Sequence, residues 1–300
     1  MTGLQQKITD FKNDKNALIL AHYYQTKDIQ EIADHVCDSF EMARLAHSAV
    51  QELLIICGVH FMAESAKILN PDKTVLLPSP DAGCPMADMI VPGDVIKLRE
   101  RYPDAAVVCY VNSSAAVKAV SDICCTSSSA ERIVQSLPEK QIIFIPDRNL
   151  GAYVASKVRD KELIFHEGWC PVHDCVGVSD VLAARTAHPE AMLLVHPECR
   201  GYVLELADFI GSTSEIIRKA LDSSSPEFII GTEYGVTEHI AALAPEKRFF
   251  PLTSDFICTD MKKTQLSDIL VSLESGRYEM SISPDEINAA RRSLERMIAV

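Results

Sequence analysis

Three cysteines stand in similar surroundings far apart in the 300-residue chain: Cys84 in "DAGCPMAD", Cys170 in "WCPVHDC" and Cys258 in "FICTDMKK". They are 86 and 88 residues apart. No second Cys or His lies within ten residues of Cys84 on either side, so any partner must come from elsewhere in the chain. A thiolate is a metal ligand, and three brought to one point would suit zinc or an iron–sulfur cluster. Structural zinc takes four protein ligands, usually at paired spacings such as Cys-x2-Cys, which single ligands this far apart do not resemble. A cubane with three cysteine ligands would leave one iron able to act as a Lewis acid toward substrate oxygens. "WCPVHDC" also offers Cys-x2-His and Cys-x4-Cys spacings, a second reading as a local zinc site. No paired Cys/His cluster elsewhere completes the set that zinc requires. The "ICC" of Cys124 and Cys125 reads as a redox pair or, better, as small apolar residues. Cys57, Cys109 and Cys199, in or beside apolar runs, read as core.

The cysteine period carries other residues in phase. His22, Tyr110 and His196 each end an apolar run, 88 and 86 residues apart. Twelve residues after each comes Asp34, Asp122 or Asp208, and five further on Ser39, Ser127 or Thr213. Cys37, Cys125 and Gly211 share one repeat position, which suggests tight packing there. Ten residues beyond each cysteine stands Asp94, Asp180 or Asp268, opening a helical pattern for which Gly93, Ser179 and Ser267 are the expected N-caps. The hydroxyl positions precede helical patterns as well. Converging from three directions they would form a phosphate-sized anion site; taken singly they are three ordinary N-caps.

These residues must be positioned by the elements between them. Short apolar runs such as "ALILAH", "AVVCYV" and "MLLVH" alternate with helical patterns, as buried parallel strands do in α/β proteins. The expectation is a triplicated βα unit of about 87 residues. Each unit would hold three parallel strands and covering helices, making three three-layer α/β/α domains related by pseudo-three-fold symmetry around a central site. The expected units are residues 1–91 with Cys84, 92–177 with Cys170, and 178–300 with Cys258. The last ends in a helix capped by Ser283 with Pro284 at its first position. Chemistry in open parallel sheets collects beyond the carboxyl ends of the strands, where the three cysteines, His22, Tyr110 and His196 all fall.

Composition narrows the partners. The net charge is −13 with no basic run, which argues against nucleic acid or an anionic membrane surface as the main partner. No apolar run approaches the roughly 18 residues of a membrane span. The opening "MTGLQQKITDFKNDKN" lacks the apolar core of a secretion signal, so a cytoplasmic protein is expected. Ten cysteines in such a chain are not a disulfide framework.

The strings "LAHYYQ", "GVHFMAESAKILNP", "AGCPMADM", "YVNSSAAVKA", "IPDRNLG", "HPEC", "ADFIGST" and "GTEYGV" resemble the quinolinate synthase family, iron–sulfur enzymes of NAD biosynthesis. The most specific is "HPEC" followed by "ADFIGST". The resemblance implies one [4Fe–4S] cluster held by Cys84, Cys170 and Cys258. It also implies condensation of iminoaspartate with dihydroxyacetone phosphate to quinolinate, phosphate and water, with an L-aspartate oxidase as the source of iminoaspartate. By the same resemblance, His22 and His196 bind substrate carboxylates, and Glu198 is the acid/base nearest the open iron. Tyr24 and Tyr110 orient and protonate intermediates, Asn112 belongs to the substrate site, and Ser39, Ser127 and Thr213 hold the phosphate. Some family members carry a Cys-x2-Cys-x2-Cys run near the third ligand; here "FICTDMKK" has Cys258 alone. Outside the family, a different iron–sulfur hydro-lyase, a cluster-bearing sensor, or a fold with all its cysteines in the core are the other readings. The plain reading of a strand-end His or Tyr is core packing, and of a lone Glu, solvation.

Overall fold

The computed structural model describes residues 2–300. The apolar runs form strands β1 (Ala17–His22), β2 (His35–Cys37), β3 (Leu53–Cys57) and β4 (Thr74–Leu76), followed by β5 (Ala106–Tyr110), β6 (Ile123–Cys125), β7 (Gln141–Ile145) and β8 (Glu162–Phe165). The last set is β9 (Met192–Val195), β10 (Phe209–Ile210), β11 (Glu227–Gly231) and β12 (Arg248–Pro251). They build three four-stranded sheets of one topology, β2-β1-β3-β4, β6-β5-β7-β8 and β10-β9-β11-β12. Every pairing is parallel. Helices alternate with the strands throughout, as α/β/α layering requires. The central strand β1 is buried along its whole length. Coverage on both faces explains why its sequence is continuously apolar rather than alternating.

Each sheet has one strand more than the sequence suggested. The extra strands β2, β6 and β10 are edge strands of three, three and two residues, too short for any periodicity to register. The recurring aspartates account for them. Asp34 accepts the N–H of Ile19 on Oδ2 at 2.8 Å, while its own N–H donates to the Ile19 carbonyl at 2.9 Å. Asp122 makes the same pair with Val107 (2.8 and 3.0 Å) and Asp208 with Leu193 (2.7 and 2.9 Å). Each carboxylate also meets one cation at the end of a helix: Lys12 at 2.7 Å, Arg99 at 2.8 Å and Arg185 at 3.0 Å. The aspartates therefore satisfy backbone donors where the edge strand is not yet alongside, and set where it joins.

A second aspartate series acts at helix starts, though not through the expected caps. The helices Pro92–Arg101, Val178–Ala187 and Leu266–Ser275 are capped at Val91, Gly177 and Gln265 rather than at Gly93, Ser179 and Ser267. Asp94, Asp180 and Asp268 reach back to accept the N–H of those caps at 3.3, 2.8 and 2.9 Å. The carboxylate at the third helical position does the work expected of the residue just before it. Ser283 caps the helix Pro284–Ala299, with Pro284 in its first turn, as expected.

The chain after Cys258 returns to the earlier units. Leu266–Ser275 packs on the first helix, Gly3–Asp14, burying Ile269 and Leu273 with Ile8, Ile19 and Ile55. Pro284–Ala299 lies on β6 and on the helix Ala115–Ala119. None of the helices among the described residues is long and apolar enough to cross a membrane.

Candidate active site

The carboxyl ends of the three central strands open onto one cavity of about 280 Å³. His22 and Tyr110 are the last residues of β1 and β5, and His196 follows β9 by one. All twelve candidate residues line this cavity: Cys84, Cys170, Cys258, His22, Tyr24, Ser39, Tyr110, Asn112, Ser127, His196, Glu198 and Thr213.

The three strand ends share a local plan in which a second functional residue sits two positions on. The N–H of Tyr24 donates to Nδ1 of His22 at 3.2 Å, and that of Glu198 to Nδ1 of His196 at 3.3 Å. An Nδ1 that accepts leaves the ring proton on Nε2. Burial pushes both imidazoles down to about 3, with Lys262 adding to the effect at His22, so both rings are neutral donors at neutral pH. In the middle unit the pair is Tyr110 and Asn112, and the buried Oδ1 of Asn112 has no partner among the described residues. A buried acceptor left open in a cavity wall is suited to a ligand's donor.

The cysteines also share a plan. Each begins a single turn in which the N–H four residues on returns to its carbonyl: Asp88 to Cys84 at 3.2 Å, Asp174 to Cys170 at 2.8 Å, and Lys262 to Cys258 at 3.2 Å. That turn aims backbone N–H groups at the sulfur: Met86 and Ala87 at Cys84, His173 at Cys170, Met261 and Asp260 at Cys258. Two residues before each cysteine, a carbonyl holds the start of a helix. His60 donates to Ala82, Arg148 to Gly168 and Tyr234 to Phe256, at 2.8, 2.9 and 2.8 Å. Asp147 accepts the N–H of Cys170 at 3.1 Å and Glu233 that of Cys258 at 3.3 Å. The first loop is tied instead to the third, through Gly83 N–H and Asp260 Oδ1 at 3.3 Å. Burial pushes the thiols of Cys84 and Cys258 up to about 12 and about 11, and that of Cys170 well above the ordinary value, with the amides pulling the other way. A cationic group is what would turn three such buried thiols into thiolates. The donor set, three cysteines lining one cavity with backbone amides facing their sulfurs, fits an iron–sulfur cluster.

Glu198 lies at the centre of the polar contacts. Tyr110 donates its hydroxyl to Oε1 at 2.6 Å, and Nδ1 of His173 lies 2.7 Å from Oε2. Burial acts to raise this carboxyl, but His173 and His196 and the bonds from His173 and Tyr110 outweigh it and hold Glu198 below the usual carboxylate range. The phenols of Tyr24 and Tyr110 are pushed well up, by burial first and then by the charge of Glu198. Both therefore keep their protons over any ordinary working pH. On the far side, the Tyr24 hydroxyl lies 3.1 Å from Thr232 Oγ1 and 3.2 Å from Thr213 Oγ1. Nε2 of His173 lies 3.0 Å from Thr232 Oγ1, joining the two walls.

Sequence reading missed four contributors. His173 lies in "WCPVHDC", where its spacing points only to a local zinc ligand. Thr232 is the residue after β11, in the "GTEYGV" string. Lys262 holds the Tyr24 carbonyl at 2.6 Å and Glu233 at 2.9 Å. Asn149, from "IPDRNLG", donates to the Glu198 carbonyl at 3.1 Å and to Asp174 at 2.9 Å. The signal for His173 was its place one helical turn after a candidate ligand; Lys262 and Asn149 carried none, because the contacts that matter to the cavity are to backbone carbonyls of other units.

The hydroxyl series is spared from capping. The helices Ser39–Ser48, Ala130–Ser136 and Thr213–Asp222 are capped at Asp38, Ser129 and Ser212. Ser39, Ser127 and Thr213 thus line the cavity without a capping duty. Cys175, the other sulfur of the local zinc reading, is exposed and its thiol donates to the Val172 carbonyl at 3.2 Å.

A family model described as "Quinolinate synthetase A protein" matches residues 6–299. The chain belongs to the quinolinate synthase family. It is 50% identical over 295 residues to a quinolinate synthase of Caldicellulosiruptor saccharolyticus, covering 98% of this chain and 97% of the relative. With quinolinate synthase 2 of Methanosarcina acetivorans the identity is 47% over 298 residues, 99% of this chain and 96% of the relative. With the Clostridium kluyveri quinolinate synthase it is 48% over 297 residues, 99% and 98%. Family membership and the fold agree, and the twelve candidate residues all line the one cavity.

Proposed function

We propose that the chain is a quinolinate synthase that condenses iminoaspartate with dihydroxyacetone phosphate to give quinolinate, phosphate and water, a dehydrating condensation of the transferase class. One observation carries this reading: three cysteine turns, one from each repeat, open onto a cavity that also holds Glu198, two neutral histidines and the hydroxyl series. Residues 1–91, 92–177 and 178–300 are taken as the three units, each supplying one cysteine. Cys84, Cys170 and Cys258 would hold a [4Fe–4S] cluster. When bound, it supplies a Lewis acid for polarising substrate oxygens and easing departure of hydroxide.

The chain's own residues divide the remaining work. His22 and His196, each with a proton on Nε2, donate to substrate carboxylates without placing a fixed positive charge in the cavity. Ser39, Ser127 and Thr213 hold the phosphate, and a product carboxylate after the phosphate leaves. Asn112 offers its open Oδ1 to the donor of a nitrogen or hydroxyl. Glu198, ionised and held by Tyr110 and His173, accepts a proton from carbon or oxygen and returns it to a leaving hydroxide. Tyr110, 2.6 Å from that carboxylate, supplies the adjacent proton. Tyr24, steadied by Thr213 and Thr232, orients intermediates from the opposite wall. The partners would be small molecules, with an L-aspartate oxidase supplying iminoaspartate in the cytoplasm.

The test is incubation of anaerobically prepared protein with dihydroxyacetone phosphate and freshly generated iminoaspartate, with product identified by mass. Iron and sulfide should be about four each per chain, as in a cubane. A colourless, iron-free protein of full activity would overturn the cluster, and absence of quinolinate from cluster-loaded protein would overturn the reaction.

A further inference from the structure

The local zinc reading of "WCPVHDC" lacked a complete ligand set, and the fold supplies the missing member from another unit. The Cys170 sulfur lies 3.3 Å from Nδ1 of His173, and that nitrogen lies 2.7 Å from Oε2 of Glu198. The three donor atoms are all within 4.8 Å of one another. We propose that the cluster-free protein binds one zinc-class divalent cation through Cys170, His173 and Glu198, and that this ion and the iron–sulfur cluster exclude each other.

One thiolate, one imidazole and one carboxylate make a borderline donor set. It suits zinc or cobalt, and not magnesium or calcium, which take oxygen ligands. Three protein ligands with a fourth position facing a cavity is the arrangement of an open zinc site. Bond lengths of about 2.0–2.3 Å around a tetrahedral ion place donor atoms about 3.3–3.7 Å apart, so the His173–Glu198 pair, at 2.7 Å, opens by at least about 0.6 Å.

Each ligand is already oriented from behind. Nε2 of His173 is 3.0 Å from Thr232 Oγ1, which turns Nδ1 toward the other two donors. Glu198 is held on its other oxygen by Tyr110 at 2.6 Å, and Cys170 by Asp147 through its N–H at 3.1 Å. Such outer contacts fix the tautomer and rotamer a metal needs. Binding releases the proton of the Cys170 thiol, and His173 ligates as the neutral tautomer with its proton on Nε2, toward Thr232. The mutual exclusion rests on the reading of Cys170 as a cluster ligand, since one sulfur cannot serve both. The ion would also occupy Glu198, making this an inhibitory state.

The experiment is anaerobic titration of the full-length, cluster-free protein with cobalt(II), followed by displacement with zinc. Expected are one equivalent, a sulfur-to-cobalt charge-transfer band and the strong visible bands of a tetrahedral site. His173→Ala and Glu198→Gln should each weaken binding about tenfold or more. Cys84→Ser, Cys258→Ser and Cys175→Ser should leave it within about twofold, well under the change on losing a bound group. Loss of the band in Cys84→Ser or Cys258→Ser would reveal a three-thiolate site, and loss in Cys175→Ser a purely local one. Either result overturns the proposal, as does binding indifferent to both His173→Ala and Glu198→Gln. In a second arm, protein preloaded with one equivalent of zinc should fail to build the cluster from iron and sulfide until a chelator is added. Cluster formation at undiminished yield with zinc still bound would overturn the exclusion. Cobalt binding is read without substrate or cluster, so its failure is separate from a failure of quinolinate synthesis.

Discussion

The hydroxyl of Tyr110, at the end of β5, donates at 2.6 Å to a carboxylate oxygen of Glu198, which belongs to the loop after β9. Two sheets thus meet through one short charge-assisted bond inside the cavity. Tyr110→Phe and Glu198→Gln should each lower kcat by about 10²- to 10⁴-fold, the range for loss of a general acid or base. Iron content should stay at the wild-type level in both. Steady-state rates by product mass, alongside iron analysis, check this; a variant that loses iron instead would assign the residue to cluster retention.

Replacing Cys84, Cys170 or Cys258 with serine should in each case remove the brown chromophore and the iron. Cys37→Ser, at a buried packing position, should retain both. Colorimetric iron and sulfide assays on anaerobic protein distinguish the outcomes.

Thr232 touches Tyr24 and His173 from opposite sides. Thr232→Val keeps the shape but removes the hydroxyl, leaving the Tyr24 phenol with Thr213 alone. A loss of about 1–2 kcal/mol, or roughly five- to thirtyfold in kcat/KM, is expected from one missing buried hydrogen bond. Thr232→Ser should recover most of it. Equal damage in the serine variant would mean that the methyl group, and not the hydroxyl, matters.

Asp122 and Asp208 lie where their sheets begin, at the end remote from the cavity. Substituting either with alanine leaves a strand N–H without its acceptor and takes the carboxylate from an arginine that keeps only its backbone partner. The expected cost is about 1–3 kcal/mol of stability, with kcat unchanged. Urea unfolding monitored by circular dichroism, with the activity of the folded fraction, provides the check.

Asp174 is a pH-dependent fastener behind the Cys170 turn. Burial acts to raise its carboxyl, but Arg200, Asn149 and Arg148 prevail and its folded pKa lies below the ordinary value. Such a group stabilises the fold above the unfolded carboxylate pKa of about 3.9, and the contribution is lost as pH falls through the lower folded value. Asp174→Asn should therefore flatten the acid side of the stability curve below about pH 4. An unchanged acid limb in urea titrations from pH 6 down to about 3 would rule this out.

Much of the architecture was legible because its markers recur. Cys84, Cys170 and Cys258 could be aligned by spacing alone, and with them the strand ends at His22, Tyr110 and His196. What escaped had no local pattern. β10 is two residues long and cannot display alternation. The caps at Val91 and Gly177 have no side-chain acceptor of their own and depend on aspartates three residues on. Lys262 and Asn149 bind carbonyl oxygens, which every residue possesses, so no residue type at the receiving end could reveal them. The family resemblance named residues that line the cavity; the ones that hold those residues became visible only in the fold.

The tie between Tyr24 and Thr213 spans 189 residues, and that between the Tyr24 carbonyl and Lys262 spans 238. During synthesis the first wall of the cavity must wait for nearly the whole chain to leave the ribosome. Each sheet can close from its own neighbouring strands soon after it emerges, whereas the site needs all three and so forms last. At about 5–20 residues per second, the first loop spends roughly ten seconds or more with Cys84 unmatched. On the cluster reading proposed above, a cell making this chain must keep that thiol reduced over the interval, and iron and sulfide would find all three cysteines only in a protein that is already complete.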